Sequence, residues 1–250
     1  MCNQDNNTRM TTIRIIMLFL GLIFFFCNQA QTTSRNVIIQ DTIPQRKSIS
    51  DILIDIKTGL FNEALTSDSV EFLDFMEEFE LYECFLFFKS GYIINETEKN
   101  ALVVTCPTDT TYTVEFYSLQ KDCWNFIDSI SDLDISYIIQ FDVTFDDYNF
   151  DGQTDLYIQT SVSNGWALSM GHLIIINPKT KKLELHKEAS EFASMTPDRN
   201  TQTVKSEWVG DYDKEGRQRI IFTNKWINGQ LKTTNKKQVL IEINSDYQDD

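Results

Sequence analysis

The chain has 250 residues, of which 42% are hydrophobic and 12% aromatic, and its formal net charge is −15. This composition supports a packed core, so it excludes a disordered chain, and the length predicts one domain or a small domain with an appendage. A strongly negative field repels nucleic acids and anionic lipid surfaces, so we expect partners of other kinds.

The N-terminus has the pattern of an export signal. Arg9 and Arg14 precede an apolar run at residues 15–27. This run is shorter than the roughly 20 residues that cross a bilayer, but it fits the hydrophobic core of a signal peptide. With Ala30 before the cleavage point, we predict a signal peptide over residues 1–30, a periplasmic or secreted protein, and no membrane span in the mature chain. The alternative is a lipid anchor at Cys27, which would suit a structural component of the cell surface.

Residues 31–49 are polar and contain Pro44, which predicts a leader or linker. Residues 50–82 are predicted to form a helical N-terminal segment. A first apolar pattern with helical spacing follows a candidate N-cap at Ser50 or Asp51, and a second follows Ser67 or Asp68. We therefore expect one or two helices, and the second pattern consists of Phe72, Phe75, Met76 and Phe79.

Residues 83–250 are predicted to form a β-rich domain. Runs of aromatic and β-branched residues alternate with turn-like segments such as NETEKN, SISDLD and NPKTKK. Asn228 and Gly229, between two such runs, are a strong signal for a two-residue hairpin turn. About ten strands with short connections predict a mainly β, antiparallel fold that is propeller-like, a sandwich or a barrel.

Three cysteines remain after removal of the predicted signal peptide: Cys84, Cys106 and Cys123. An odd number allows at most one disulfide within the chain. Cys84 and Cys106 lie in apolar, strand-like runs, where burial of the thiol is expected.

The segment FDDYNFDGQTDLYI, residues 145–158, carries the clearest chemical pattern. With Asp147 as position 1, oxygen-bearing side chains stand at positions 1, 3, 5 and 9 and a glycine stands at position 6. Calcium takes about six to eight oxygen ligands, and such a loop supplies them from alternate side chains and from the carbonyl at position 7. An EF-hand would need Glu at position 12, where Ile158 stands. The predicted calcium ligands are Asp147, Asn149, Asp151, Gln153 and Asp155, with Phe150 as an anchor in the core.

An acidic hairpin is the alternative interpretation of the same segment. Asn and Gly are common turn residues, and Asp side chains often accept hydrogen bonds from nearby backbone donors. A second loop, residues 211–216, repeats the oxygen spacing and the glycine. Its position 9 is Arg219, a cation, which favours a polar hairpin or a degenerate repeat.

The motif D-x-N-F-D-G-x-x-D-L resembles the calcium loops of FG-GAP/VCBS-type β-propeller repeats. It looks still more like the loop of exported bacterial β-rich proteins that carry a single NFDG-x-x-DL signature, and the similarity covers about residues 142–243. The resemblance implies a propeller-like, calcium-binding and non-enzymatic protein that binds or inhibits partners in the cell envelope. It also implies four metal ligands: Asp147, Asn149, Asp151 and Asp155.

The sequence contains no GxSxG, HExxH, GxGxxG or P-loop motif. From this absence together with the resemblance, we expect a non-enzymatic module whose partner is a protein or glycan of the envelope, with no particular oligomeric state indicated. The candidate contact residues are Trp166, Trp208 and Trp226, which are also candidate core residues. His172 and His186 are interpreted as structural. The alternative function is a secreted carbohydrate- or peptidoglycan-active hydrolase, which would place two carboxylates about 5–10 Å apart in a cleft.

Overall fold

The computed structural model describes residues 48–78, 81–108, 110–136, 140–162, 168–210 and 217–241. The predicted signal peptide, Cys27, Trp166 and the loop at residues 211–216 lie outside these ranges. Within them, no helix is long and apolar enough to span a membrane.

One α-helix and three antiparallel sheets make up the described part of the chain, and every strand pairs with its neighbour in sequence. Helix α1 spans Ile49–Thr66. Sheet A contains β1 (Val70–Glu78), β2 (Leu81–Gly91), β3 (Asn100–Cys106), β4 (Thr111–Gln120) and β5 (Cys123–Asp134). Sheet B contains β6 (Asp142–Asp146), β7 (Asp155–Val162), β8 (Ser169–Ile176) and β9 (Leu183–His186). After a short 3₁₀ helix (Lys187–Glu191), sheet C contains β10 (Thr196–Asp198), β11 (Thr203–Val209), β12 (Arg217–Ile227) and β13 (Gln230–Ile241).

Sheet A is covered on both faces. On one face, Leu86 and Phe88 of β2 form an apolar cluster with Leu53 and Leu60 of α1. The alternate residues of the same strand, such as Phe85, point to the opposite face and pack against sheet B. Because successive side chains of a strand point to opposite faces, apolar residues at consecutive positions of β2 and β3 bury both sides of the sheet.

Sheet B is the central layer. Its face that carries Leu156, Ile158 and Ile174 packs against sheet A. The opposite face, with Tyr157 and Leu173, packs against sheet C. The layers therefore follow the chain order, from α1 through sheets A and B to sheet C. None of the three sheets closes on itself into a barrel within the described residues.

The mainly β, antiparallel prediction is confirmed, but the second helical pattern forms strand β1. Phe72 and Met76 of β1 pack on the side of α1, whereas Phe75 packs on the side of sheet B. A strand with apolar contacts on both faces has no strict alternation of apolar and polar residues, so its spacing imitated that of a helix. The described part of residues 50–82 is thus helix α1 followed by β1 and the start of β2.

Two further expectations in this region are wrong. The segment SISDLD is the end of β5 and not a turn, although its residues are mostly exposed. The run ISYIIQFDV, residues 135–143, also has the composition of a strand, but of its described residues only Asp142 and Val143 lie in one, at the start of β6. Polar residues suit β5 because it is an edge strand of sheet A, paired on one side only.

Helix α1 is fixed at both ends. Its N-cap is Ser48, two residues before the expected Ser50, and Ser48 and Asp51 form a reciprocal capping box. At the C-terminal end, the Lys99 ammonium donates to the carbonyl of Ala64 at 2.7 Å and to that of Ser67. A cation that binds the last carbonyls of a helix also opposes the negative end of its dipole, so Lys99 attaches α1 to sheet A.

The hairpin predicted at Asn228 and Gly229 is confirmed. Both residues have positive φ, +51° and +75°, and Ile227 pairs with Gln230 across the turn. These angles belong to the two-residue turn that matches the twist of antiparallel strands. The side chains of Cys84 and Cys106 are buried in sheet A, as expected.

Two Gly→Ala substitutions are predicted to change stability in opposite directions. A Cβ added at Gly229 or at Gly59 of α1 meets no atom within 4 Å, so only the backbone conformation differs. Gly229→Ala should destabilise the fold by about 1–2 kcal/mol, because alanine disfavours positive φ. Gly59→Ala should stabilise it by about 0.5–1 kcal/mol, because glycine lowers helix stability. Urea unfolding of both variants tests this, and equal signs would contradict the assigned conformations.

Candidate metal centre

The acidic loop connects β6 to β7 through residues 147–154. Gly152 has φ +85° and Phe150 has φ +63°, so two residues of the loop adopt the left-handed region. Glycine adopts this region without strain, whereas an aromatic residue does so only when its surroundings fix it. Phe150 packs between sheets B and C, as the sequence predicted for an anchor, and this packing holds the backbone.

The side chains at positions 1, 3 and 5 form a hydrogen-bonded network with the loop backbone. The two carboxylate oxygens of Asp147 accept from the N–H groups of Asp151 and Gly152 at 3.1 and 3.0 Å. Asn149 Oδ1 also accepts from Asp151 N–H, at 2.9 Å. Asp151 Oδ1 accepts from Gln153 N–H at 2.8 Å, and its Oδ2 accepts from the Asn149 amide at 3.0 Å. The loop therefore directs its oxygens inward, onto its own backbone.

Asp155 differs from the other acids because it is fully buried. Its Oδ2 accepts from the backbone N–H groups of Tyr148 and Asn149 at 3.0 and 3.2 Å, and its Oδ1 accepts from Ile176 N–H at 3.3 Å. Burial raises the pKa of Asp155 to about 7, against the effect of these three donors, which lower it. Asp155, at position 9 of the motif, thus connects the start of the loop to β8 through its carboxylate.

The loop region contacts all three sheets. Thr154 N–H donates to the Ile94 carbonyl, which follows β2 of sheet A, at 3.1 Å. Trp226 of sheet C donates its indole N–H to the Tyr148 carbonyl at 2.7 Å. Arg199, in the turn between β10 and β11, pairs with Asp146 at 2.8 Å. A change in the conformation of this loop would therefore reach sheets A, B and C together.

The donor set has the chemistry that calcium prefers, because it consists of carboxylate and amide oxygens. Over the described ranges, no three His, Cys, Asp or Glu side chains converge closely enough to hold a metal ion by themselves. Calcium would therefore be held by Asp147 and Asp151 together with the Asn149 amide and main-chain carbonyls, Gln153 among them. Asp155 has one lone pair of Oδ1 left after its three backbone hydrogen bonds.

The other residues singled out in the sequence lie apart from the loop or support it. Trp226 is half-buried and holds the loop by its hydrogen bond, so it is a structural residue. Trp208 is 48% exposed at the end of β11 and is available for contact with a partner. His186 is hydrogen-bonded to Glu188 at 3.2 Å and packs edge-on against the ring of Trp226.

A cavity of about 480 Å³ lies beside β5 and was not predicted. Its polar lining includes Asp132, Asp134, His172 and Lys187, which come from β5, from β8 and from the 3₁₀ helix. Asp132 has φ +58° and lies at an irregularity in the β4–β5 pairing, where a bulge redirects side chains. No local motif joins these residues, so only the packing of sheet A against sheet B reveals the cavity.

His172 in this cavity also links two sheets. Its Nδ1 lies 2.6 Å from the hydroxyl of Tyr112, a fully buried residue of β4. Burial raises the pKa of the Tyr112 phenol, so the hydroxyl keeps its proton and we assign it as the donor. Burial also lowers the pKa of His172, although the nearby charge of Asp134 partly opposes that shift. The folded state therefore favours the neutral imidazole with its proton on Nε2.

This shift predicts a loss of stability in acid. A histidine whose folded-state pKa lies below the unfolded value of about 6.5 stabilises the fold above that pH, and the contribution is lost as the pH falls. Between pH 7.5 and 5.5 the free energy of unfolding should decrease by up to about 1.4 kcal/mol from this residue. In His172→Asn, whose Oδ1 can still accept from Tyr112, that part of the slope should disappear. Urea unfolding at several pH values measures it, and parallel slopes for the two proteins would contradict the assignment.

Comparison of the chain with protein-family models, with curated proteins and with solved structures found no match. The resemblance to FG-GAP/VCBS-type loops therefore rests on the residues of the loop itself. The loop at residues 147–155, with its contacts to all three sheets, and the cavity beside β5 are the two sites from which a function can be argued.

Proposed function

We propose that the protein is an exported, non-enzymatic binding or inhibitor-type module of the bacterial envelope whose fold is stabilised by calcium. The observation that carries the proposal is the position of the acidic loop. Its carboxylate and amide oxygens surround a tight turn, and Asp155 hydrogen-bonds to β8 of sheet B. Tyr148 and Thr154 of the same loop hydrogen-bond to Trp226 of sheet C and to the connection between β2 and β3 of sheet A. A cation held there would stabilise the arrangement of the three layers, which is a structural role.

The electrostatics of the loop support a cation. Asp147, Asp151 and Asp155 lie within nine residues of chain, and Asp151 contributes to the raised pKa of Asp155. A nearby positive charge favours the ionised form of a carboxyl group and relieves the repulsion between like charges. Arg199 pairs with Asp146, which is not one of the proposed ligands.

Each of sheets B and C is a four-stranded antiparallel meander, the size and connectivity of a propeller blade, which supports a propeller-like relationship. The binding partner is proposed to be a protein or glycan of the envelope. Of the two tryptophan candidates in the described ranges, Trp208 is the better one, because its ring is half exposed whereas Trp226 is engaged by the loop. Exposed aromatic residues contribute much of the affinity in many interfaces.

Calcium is predicted to raise the thermal midpoint of the mature protein. For a dissociation constant of about 10⁻⁴–10⁻³ M, as in extracellular modules, 10 mM calcium should stabilise the fold by about 1.4–2.7 kcal/mol. For a domain of this size that is a shift of several degrees. Differential scanning fluorimetry with calcium, with magnesium at equal ionic strength and with a chelator measures the effect.

Two variants separate metal binding from loop folding. Asp151→Ala should remove the calcium response, because it deletes a proposed ligand. Asp155→Asn should lower the midpoint both with and without calcium, because an amide nitrogen would face backbone donors; we expect a loss of about 1–3 kcal/mol. Glu96→Gln, at an exposed acid outside the loop, is the matched control. A wild-type midpoint that calcium leaves unmoved would refute the proposal.

The cavity beside β5 favours the alternative function, a secreted hydrolase acting on carbohydrate or peptidoglycan. It contains two carboxylates, Asp132 and Asp134, together with His172. A carboxylate pair that flanks a glycosidic bond is the usual catalytic arrangement for hydrolysing it. Our leading proposal predicts no clearing of a purified peptidoglycan suspension. Clearing by the wild type that is lost in Asp134→Asn, but kept in Glu96→Gln, would favour the hydrolase.

A further inference from the structure

Strands β1 and β13 carry opposite charges, in a chain whose net charge is −15. Strand β13 is the last strand of sheet C, and β12 and β13 together contain no acidic residue. Strand β1 is the first strand of sheet A and contains no basic residue. The basic residues of β12 and β13 are Arg217, Arg219, Lys225, Lys232, Lys236 and Lys237, and the acidic residues of β1 are Glu71, Asp74, Glu77 and Glu78.

Both strands present one open edge within the described ranges. Strand β1 pairs only with β2, and β13 pairs only with β12. Residues 232–238 of β13 are exposed at every position. On β1, Asp74 and Leu73 are exposed, and Leu73 retains 43% of its surface. The outer edge of a strand carries backbone N–H and C=O groups that can pair with another chain.

We propose that β13 of one copy of this chain pairs with β1 of a second copy, so that the protein assembles head to tail. Charges on edge strands usually prevent such pairing, since like charges repel. Here that protection is selective. Two β13 edges would oppose lysine to lysine, and two β1 edges would oppose acid to acid. The pairing of β13 with β1 brings opposite charges together and is the only one of the three that is not blocked.

The two edges belong to opposite ends of the layered structure. Each copy therefore offers one basic and one acidic edge, and the contact is heterologous, which generates rings or open chains of subunits. The Lys89 ammonium is 2.6 Å from Glu71, so Asp74 is the more available acid among the described side chains of β1. The pairing uses no residue of the acidic loop. A result that contradicts the pairing would therefore leave the proposed function intact.

Charge reversal tests this pairing. In one variant of the full mature protein, Lys232, Lys236 and Lys237 are changed to Glu, so both edges are acidic. In the other, all four acids of β1 (Glu71, Asp74, Glu77 and Glu78) are changed to Lys, so both edges are basic. Sedimentation velocity over a range of concentrations should show assembly of the wild type and, for each variant alone, at least about tenfold weaker self-association. An equimolar mixture of the two variants should assemble again, because each acidic edge then meets a basic one.

A control variant separates the effect of the β13 edge from the effect of net charge. A third variant reverses three exposed lysines in turns, Lys121, Lys179 and Lys182, and has the same net charge as the β13 variant. It should assemble like the wild type, and unchanged circular dichroism should confirm that each variant is folded. Slower hydrogen exchange at residues 232–238 on assembly would locate the contact. A wild type that is monomeric at all concentrations, or a mixture that stays monomeric, would overturn the proposal.

Discussion

The burial of sheet B on both faces is the constraint on which the rest of the structure depends. Strands β7 and β8 carry apolar side chains at consecutive positions, so water can be tolerated on neither face. Removing a large apolar side chain from water contributes about 1.5–3 kcal/mol, and both faces of this sheet contain several. Sheet A covers one face and sheet C the other. Sheet A has an apolar outer face of its own, which α1 covers.

The sequence predicted correctly those elements whose conformation is determined by a few neighbouring residues. Asn228 and Gly229 specify their turn through backbone conformation, so the hairpin could be found from two residues. Strand β1 was mistaken for a helix because contacts on both of its faces removed the alternation that marks a strand. Strand β5 was divided by an apparent turn, because an edge strand tolerates serine and aspartate at its exposed positions.

The candidate metal centre also has a part that the local sequence predicts and a part that it does not. The spacing of oxygens from Asp147 to Asp155 identified the loop, since the ligands of such a site are close in sequence. The contacts that connect the loop to the sheets join residues that are distant in sequence. Trp226 is 78 residues from Tyr148, and Ile176 is 21 residues from Asp155. The pairing of His172 with Tyr112 spans 60 residues. Contacts of this kind follow from the stacking of the sheets and leave no mark on the local sequence.

The agreement between layer order and chain order also affects the nascent chain. Because every strand pairs with its sequence neighbour, each sheet can form from one continuous stretch as synthesis proceeds. Sheets A and B can pack together as soon as β9 is complete. The far face of sheet B, with Tyr157 and Leu173, stays bare until the strands of sheet C follow. Between the synthesis of His186 and that of Leu231, the unfinished protein therefore exposes an apolar face that only sheet C later covers.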